Sequence, residues 1–190
     1  PETLQALVAS RIDGLAPEER RIVQDASVLG KTFAVEELAA TTGRPRAELE
    51  PLLRELVRKE VLFLEADPRS AERGQYGFLQ DLVRRVAYEM LPRRERKARH
   101  LAAAFFEQGW GGREEEVVEV VASHYLTALE LEPESEDAPA LRAKARETLA
   151  RAGERAASLG ASAEAATSLA RAAELAEEPL EEARLLARAG

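Results

Sequence analysis

Apolar residues in this chain recur at helical spacing over almost its whole length. Only between Val61 and Phe78 does the period shorten to that of strands. Such a pattern demands a mainly α fold interrupted by one small β element. Composition agrees, because aromatic residues make up only 5% of the 190 positions while alanine, leucine, glutamate and arginine, all good helix formers, dominate.

Leu4, Leu7, Val8, Ile12 and Leu15 mark a first helix. A second opens with Pro17, Glu18 and Glu19, residues suited to a first turn and its dipole, and is expected to end at Gly30. A third runs from Val35 to Thr42 with Gly43 as its stop, and a fourth is expected from Pro51, burying Leu52, Leu53, Leu56 and Val57. Val61–Leu64 and Gln75–Phe78 then read as two strands around an Asp67–Ser70 turn, the candidate wing of a helix-turn-helix core. Asp81 is expected to cap the next helix, which carries Leu82, Val83, Val86, Ala87 and Met90 inward before Pro92 ends it. The expectation is a winged-helix-like domain over residues 1–92, with a small β-hairpin.

Residues 93–138 read as linking helices, with Leu101, Phe105 and Phe106 on one and Val117, Val118, Val121, Tyr125 and Leu129 on the next. Glu114-Glu115-Glu116 suits a charged first turn, and the acidic stretch Glu132 to Pro139 reads as a linker. Within 139–190 an internal repeat appears: Ala150-Arg151-Ala152-Gly153 returns 37 residues later as Ala187-Arg188-Ala189-Gly190. That period fits an α-helical hairpin of tetratricopeptide type, the start of a solenoid. Leu149, Ala152, Gly153, Ala156, Ala165, Leu169 and Ala172 fall on the positions such repeats use for close helix packing, although Pro179 comes late and the large aromatic positions hold leucine or alanine. A solenoid needs about three repeats and a polar cap. The stop inside a repeat, and a start at Pro1 without methionine or signal pattern, therefore predict a piece of a longer protein.

Several function classes find no support. A net charge of −8 disfavours wrapping nucleic acid, and the fourth helix balances Arg54, Arg58 and Lys59 against Glu50, Glu55 and Glu60, so direct nucleic-acid binding is not expected. There is no cysteine for a disulfide or a thiolate metal site. No apolar run approaches the roughly 20 residues of a membrane-spanning helix, and a cytoplasmic location is expected. Gly30-Lys31-Thr32 looks like the end of a phosphate-binding loop, but the glycine that such a loop needs upstream falls on Asp25 and a helix precedes it instead of a strand. His100 and His124 have no metal-ligand partners at suitable spacing; His124 is expected to pack inside and His100 to be exposed. No catalytic constellation emerges. The strongest charge feature is the basic cluster Arg84, Arg85, Arg93, Arg94, Arg96, Lys97 and Arg99, opposed by Glu89 and Glu95, which is a candidate interdomain contact surface.

Pro1-Glu2-Thr3-Leu4, Arg11-Ile12-Asp13-Gly14-Leu15, Asp25 to Lys31, Phe78 to Glu89, Arg93 to Leu101 and Ala122 to Leu126 together resemble the segment after the ATPase core in bacterial signal-transduction ATPases with numerous domains. The form is most similar to adenylate or guanylate cyclases that join a cyclase, an ATPase module and a tetratricopeptide tail. LuxR-like transcriptional regulators share the same middle section and supply the alternative. The resemblance implies a regulatory segment whose winged-helix-like part packs on its own ATPase module while an unidentified protein or peptide engages the repeats. It implies no cofactor held by this segment, but ATP and a divalent metal in the parent protein. It also implies Gln80, with Asp81 beside it, at the position where related ATPases sense nucleotide phosphates. Glutamine there replaces a histidine, so it can donate a hydrogen bond without carrying charge.

Overall fold

Thr3 sets where the first helix begins: its hydroxyl accepts the Ala6 N–H at 3.3 Å and so satisfies one of the free donors at the start of α1 (Leu4–Asp13). A computed structural model describes residues 3–109, 117–177 and 179–189, which form ten helices and three short strands. The chain divides into two compact units, Pro1–Ala102 and Ala103–Gly190. Glu114-Glu115-Glu116, Pro1-Glu2 and Gly190 lie outside the described residues.

In the first unit, α2 (Pro17–Ala26) starts on a proline and buries Ile22, Val23 and Ala26 completely. It ends at Ala26, ahead of the expected Gly30. The Ser27 hydroxyl donates to the Gln24 carbonyl at 2.6 Å, and the chain then turns through Gly30 at φ 123°. Where a loop is expected at Thr32, the chain instead forms β1 (Thr32–Phe33), two residues too short to leave a periodic signal. The helix α3 (Val35–Thr42) closes on Gly43 in the left-handed conformation, φ 70°, where a side chain would be strained.

The fourth helix, α4 (Arg46–Arg58), begins before Pro51 and carries that proline inside. Its first turn is held by Arg46, which pairs with Glu36 on α3 and, at 2.6 Å, with Glu50 one turn on. Strands β2 (Leu62–Leu64) and β3 (Tyr76–Phe78) follow. The sheet is antiparallel in the order β1-β3-β2, with Leu62 opposite Phe78, Leu64 opposite Tyr76 and Phe33 opposite Tyr76. Phe33 and Phe78, buried with Leu38, Leu49, Leu53 and Leu56, make the core between sheet and helices. Next come α5 (Asp81–Met90) and α6 (Arg93–Gln108).

The division between the units falls within α6 at Ala102, so the first unit runs past Pro92.

The second unit is helical throughout its described residues: α7 (Val118–Leu131), α8 (Ala138–Ser158), α9 (Ser162–Glu174) and α10 (Pro179–Ala189). The acidic linker shortens to 132–137, because Pro139 sits in the first turn of α8, where a missing N–H does no harm. Leu149, Ala152, Gly153, Ala156, Ala165, Leu169 and Ala172 are all buried. Three residues separate α8 from α9, and the two pack as a hairpin. Gly153 is what lets them approach: a β-carbon there would lie 2.7 Å from Leu169 Cγ and 3.2 Å from the Ala165 carbonyl. Gly153→Ala is expected to destabilise this unit by about 1–3 kcal/mol through overpacking, despite alanine's higher helix propensity. Urea titration reads the effect, and a stabilised variant would show that the two helices have room to separate.

Candidate functional site

The basic cluster begins on α5. Asp81 is the expected cap of this helix, but the N-cap is Gln80, exposed and without a side-chain capping bond, and Asp81 occupies the first turn. There its carboxylate accepts Arg84 Nε at 2.9 Å and approaches Arg85 Nε at 3.2 Å. The Arg84 hydrogen bond, with the charges of Arg84, Arg85 and Lys31, holds the Asp81 carboxyl below its ordinary range. Gln80 and Asp81 thus sit together, both exposed, at the start of α5.

Past Pro92 the cluster parts into two groups. Arg96 Nε donates to the Leu91 carbonyl at 2.8 Å and its terminal nitrogen to the Glu89 carbonyl at 3.2 Å, so a cation satisfies the open carbonyls at the end of α5. The same guanidinium lies 4.9 Å from the centre of the Tyr88 ring. Arg99 Nε reaches Asp25 Oδ1 at 2.8 Å, and its Nη1 extends to the Thr41 carbonyl at 3.5 Å. Lys97 is buried as well. Arg93 and Arg94 instead are exposed, as is Arg85.

Asp25 is the centre of this arrangement. It is 1% exposed and takes Arg99 on one oxygen and Arg21 Nε on the other at 3.4 Å, while Arg21 also reaches Glu95 Oε2 at 2.9 Å. One carboxylate on α2 therefore clasps the opening turns of α6 and, through Arg99, the end of α3. His100, expected at the surface, is buried, its Nε2 3.0 Å from the Tyr88 hydroxyl with the two rings edge to face. A second buried carboxylate, Glu19, accepts the Ala16 N–H at 3.0 Å and Lys59 Nζ at 2.7 Å, tying the start of α2 to the end of α4. Among the described residues, neither acid pairs with another acid or with a nucleophile. Both read as fasteners.

The Gly30-Lys31-Thr32 segment does not form a phosphate-binding loop. Asp25 fills the place of the glycine a phosphate-binding loop needs, and its charge is already taken by Arg99 and Arg21. Thr32, which such a loop would place at a helix start, lies on β1.

In the second unit α7, α8 and α9 enclose a groove of about 360 Å³ lined by small and polar side chains, among them Ala122, Ser123, Ala152, Ala163 and Thr167, with Glu119 and Arg171 also on its walls. His124 is buried, as expected, and burial pushes its imidazole down to about 4. Among the described residues, no cluster of three or more His, Asp or Glu side chains could hold a metal ion, and no helix is long and apolar enough to cross a membrane.

In the sequence, Asp25 stands out only as the residue that spoils a phosphate-binding loop, and Glu19 only as part of a helix's first turn. The partners that tie them to other helices, Arg99 and Lys59, lie 74 and 40 positions away, beyond any local pattern. Comparison with protein-family models, curated proteins and solved structures finds no match to this chain.

Proposed function

We propose that this chain is a non-catalytic regulatory and interaction segment of a cytoplasmic, multidomain ATP-binding signalling protein. That protein would be a signal-transduction ATPase with numerous domains, joined to an adenylate or guanylate cyclase. The first unit acts as a winged-helix-like module on the ATPase. In support, its elements run α2, β1, α3, α4, β2, β3 with β3 at the centre of the sheet. The second unit acts as tetratricopeptide-like repeats that receive a protein or peptide. The close approach of α8 and α9 at Gly153 and the groove along α7 to α9 support that role.

The observation carrying the proposal is the division of labour in the basic cluster. Arg96 and Arg99 are spent on holding α6 to the first unit, while Arg93 and Arg94 remain exposed at the start of that same anchored helix. Two cations on a rigid helix end can meet an acidic surface with little loss of backbone freedom, which makes them suited to a switchable contact with the ATPase module. Direct DNA recognition by α4 is disfavoured, since Arg46, Arg54 and Arg58 each face a glutamate, Glu50 or Glu55.

In the full protein, Arg93→Glu with Arg94→Glu is expected to change ATP hydrolysis and cyclase output severalfold while leaving the melting temperature of the isolated chain unchanged. Unaltered output would remove the case for a charged contact with the ATPase. A salt-sensitive shift of duplex DNA by the chain would favour the transcriptional alternative.

A further inference from the structure

A second recess lies in the first unit, on the sheet face beside α4, and the regulatory proposal makes no use of it. Pro51, Arg54, Val57 and Arg58 on α4 form one wall, and the cross-strand pair Leu64 and Tyr76 forms the other, around about 510 Å³. Positions 51, 54 and 58 fall on one helical stripe, so the wall is continuous along α4. Tyr76 is 7% exposed and stacks its ring on Phe33, whereas Leu64 at 45% stands open to solvent. The result is an apolar trough with a firm floor, an exposed leucine at its edge and two arginines on its rim.

We propose that this trough docks a short peptide segment of a partner protein in which carboxylates flank an apolar side chain. Charge complementarity selects that occupant. The lining holds two arginines and no carboxylate, and the arginine side chains are 63% and 74% exposed. Arg54 is the looser: Glu50 lies 3.9 Å from it and already holds Arg46 at 2.6 Å. The Arg58–Glu55 pair is an exposed contact that a better-placed carboxylate can replace at little loss. The apolar floor favours a peptide over nucleic acid, because phosphates would find no use for Leu64, Val57 and Pro51. An apolar anchor in a groove with charged flanks is a common way to bind short segments. The site stands independently of the ATPase proposal.

Selection of random short peptides displayed on phage, against the 190-residue chain, tests this. The expected consensus has Asp or Glu next to Leu, Ile, Phe or Met. The best peptide, labelled and titrated by anisotropy, should weaken by about tenfold or more with Arg54→Glu plus Arg58→Glu, and likewise with Leu64→Glu. Arg69→Glu, in the exposed turn between β2 and β3, should leave it unchanged. The proposal is overturned by the absence of enriched peptides, by a consensus without acids, or by full binding to the arginine variant. Preferential binding of random-sequence duplex DNA would overturn it equally.

Discussion

Asp25→Ala is expected to destabilise the first unit by about 3–5 kcal/mol, well beyond what the loss of an exposed ion pair would do. Asp25 is 1% exposed, and removing it strands Arg99, whose side chain keeps only 20% of its exposure, together with one contact of Arg21. A largely desolvated cation left without its carboxylate is the main penalty; the net worth of the pair itself is smaller. Arg99→Ala should lose less, since Arg21 still reaches Asp25 from the same helix. The double variant should be closer to Arg99→Ala than to the sum of the two singles, with a coupling of about 2–3 kcal/mol. Urea titrations of the four proteins measure this. Additive losses would mean that the clasp does not act as a unit.

The second large effect is a pH dependence centred on His124. Burial lowers its folded-state pKa from 6.5 to about 4. The unfolded chain therefore takes up the proton first as pH falls. The contribution to stability is fully present above pH 6.5 and is lost progressively as pH drops toward 4. A separation of that size corresponds to at most about 3 kcal/mol. Carboxylates titrate over part of the same window, so the informative quantity is the difference between the native chain and His124→Leu. The native chain should lose stability more steeply than the variant between about pH 6.5 and 4.5. Parallel slopes would show that the imidazole is protonated in the folded state.

Much of the secondary structure can be read from local pattern. Gly43 stops α3 where a left-handed residue is required, and the change of period at Val61 locates the hairpin. The seven small and large positions around Gly153 are buried because helical spacing fixes which face of α8 meets α9. What escaped depends on tertiary contact. β1 exists because β3 supplies its hydrogen-bonding partners, and the Phe78 N–H donates to the Lys31 carbonyl at 2.9 Å. α4 starts early because Arg46 finds Glu36 on another helix. His100 goes inside because Tyr88, on α5, offers its hydroxyl.

The basic cluster shows the same limit. Composition and spacing reveal seven cations over a short stretch, but whether each faces a partner or solvent depends on the fold. Arg99 alone connects three helices, while Arg93 and Arg94, in the same run of sequence, remain outside. A surface inferred from charge thus becomes an internal fastener and an exposed end.

Amide hydrogen exchange across residues 81–100, in the full protein with and without a non-hydrolysable ATP analogue, tests the proposed relay most directly. Nucleotide at the ATPase module is expected to change protection around Arg93 and Arg94 and at the end of α5, while the Asp25-clasped turn of α6 stays protected in both states. Identical exchange throughout this segment with and without nucleotide would contradict a role in passing the signal.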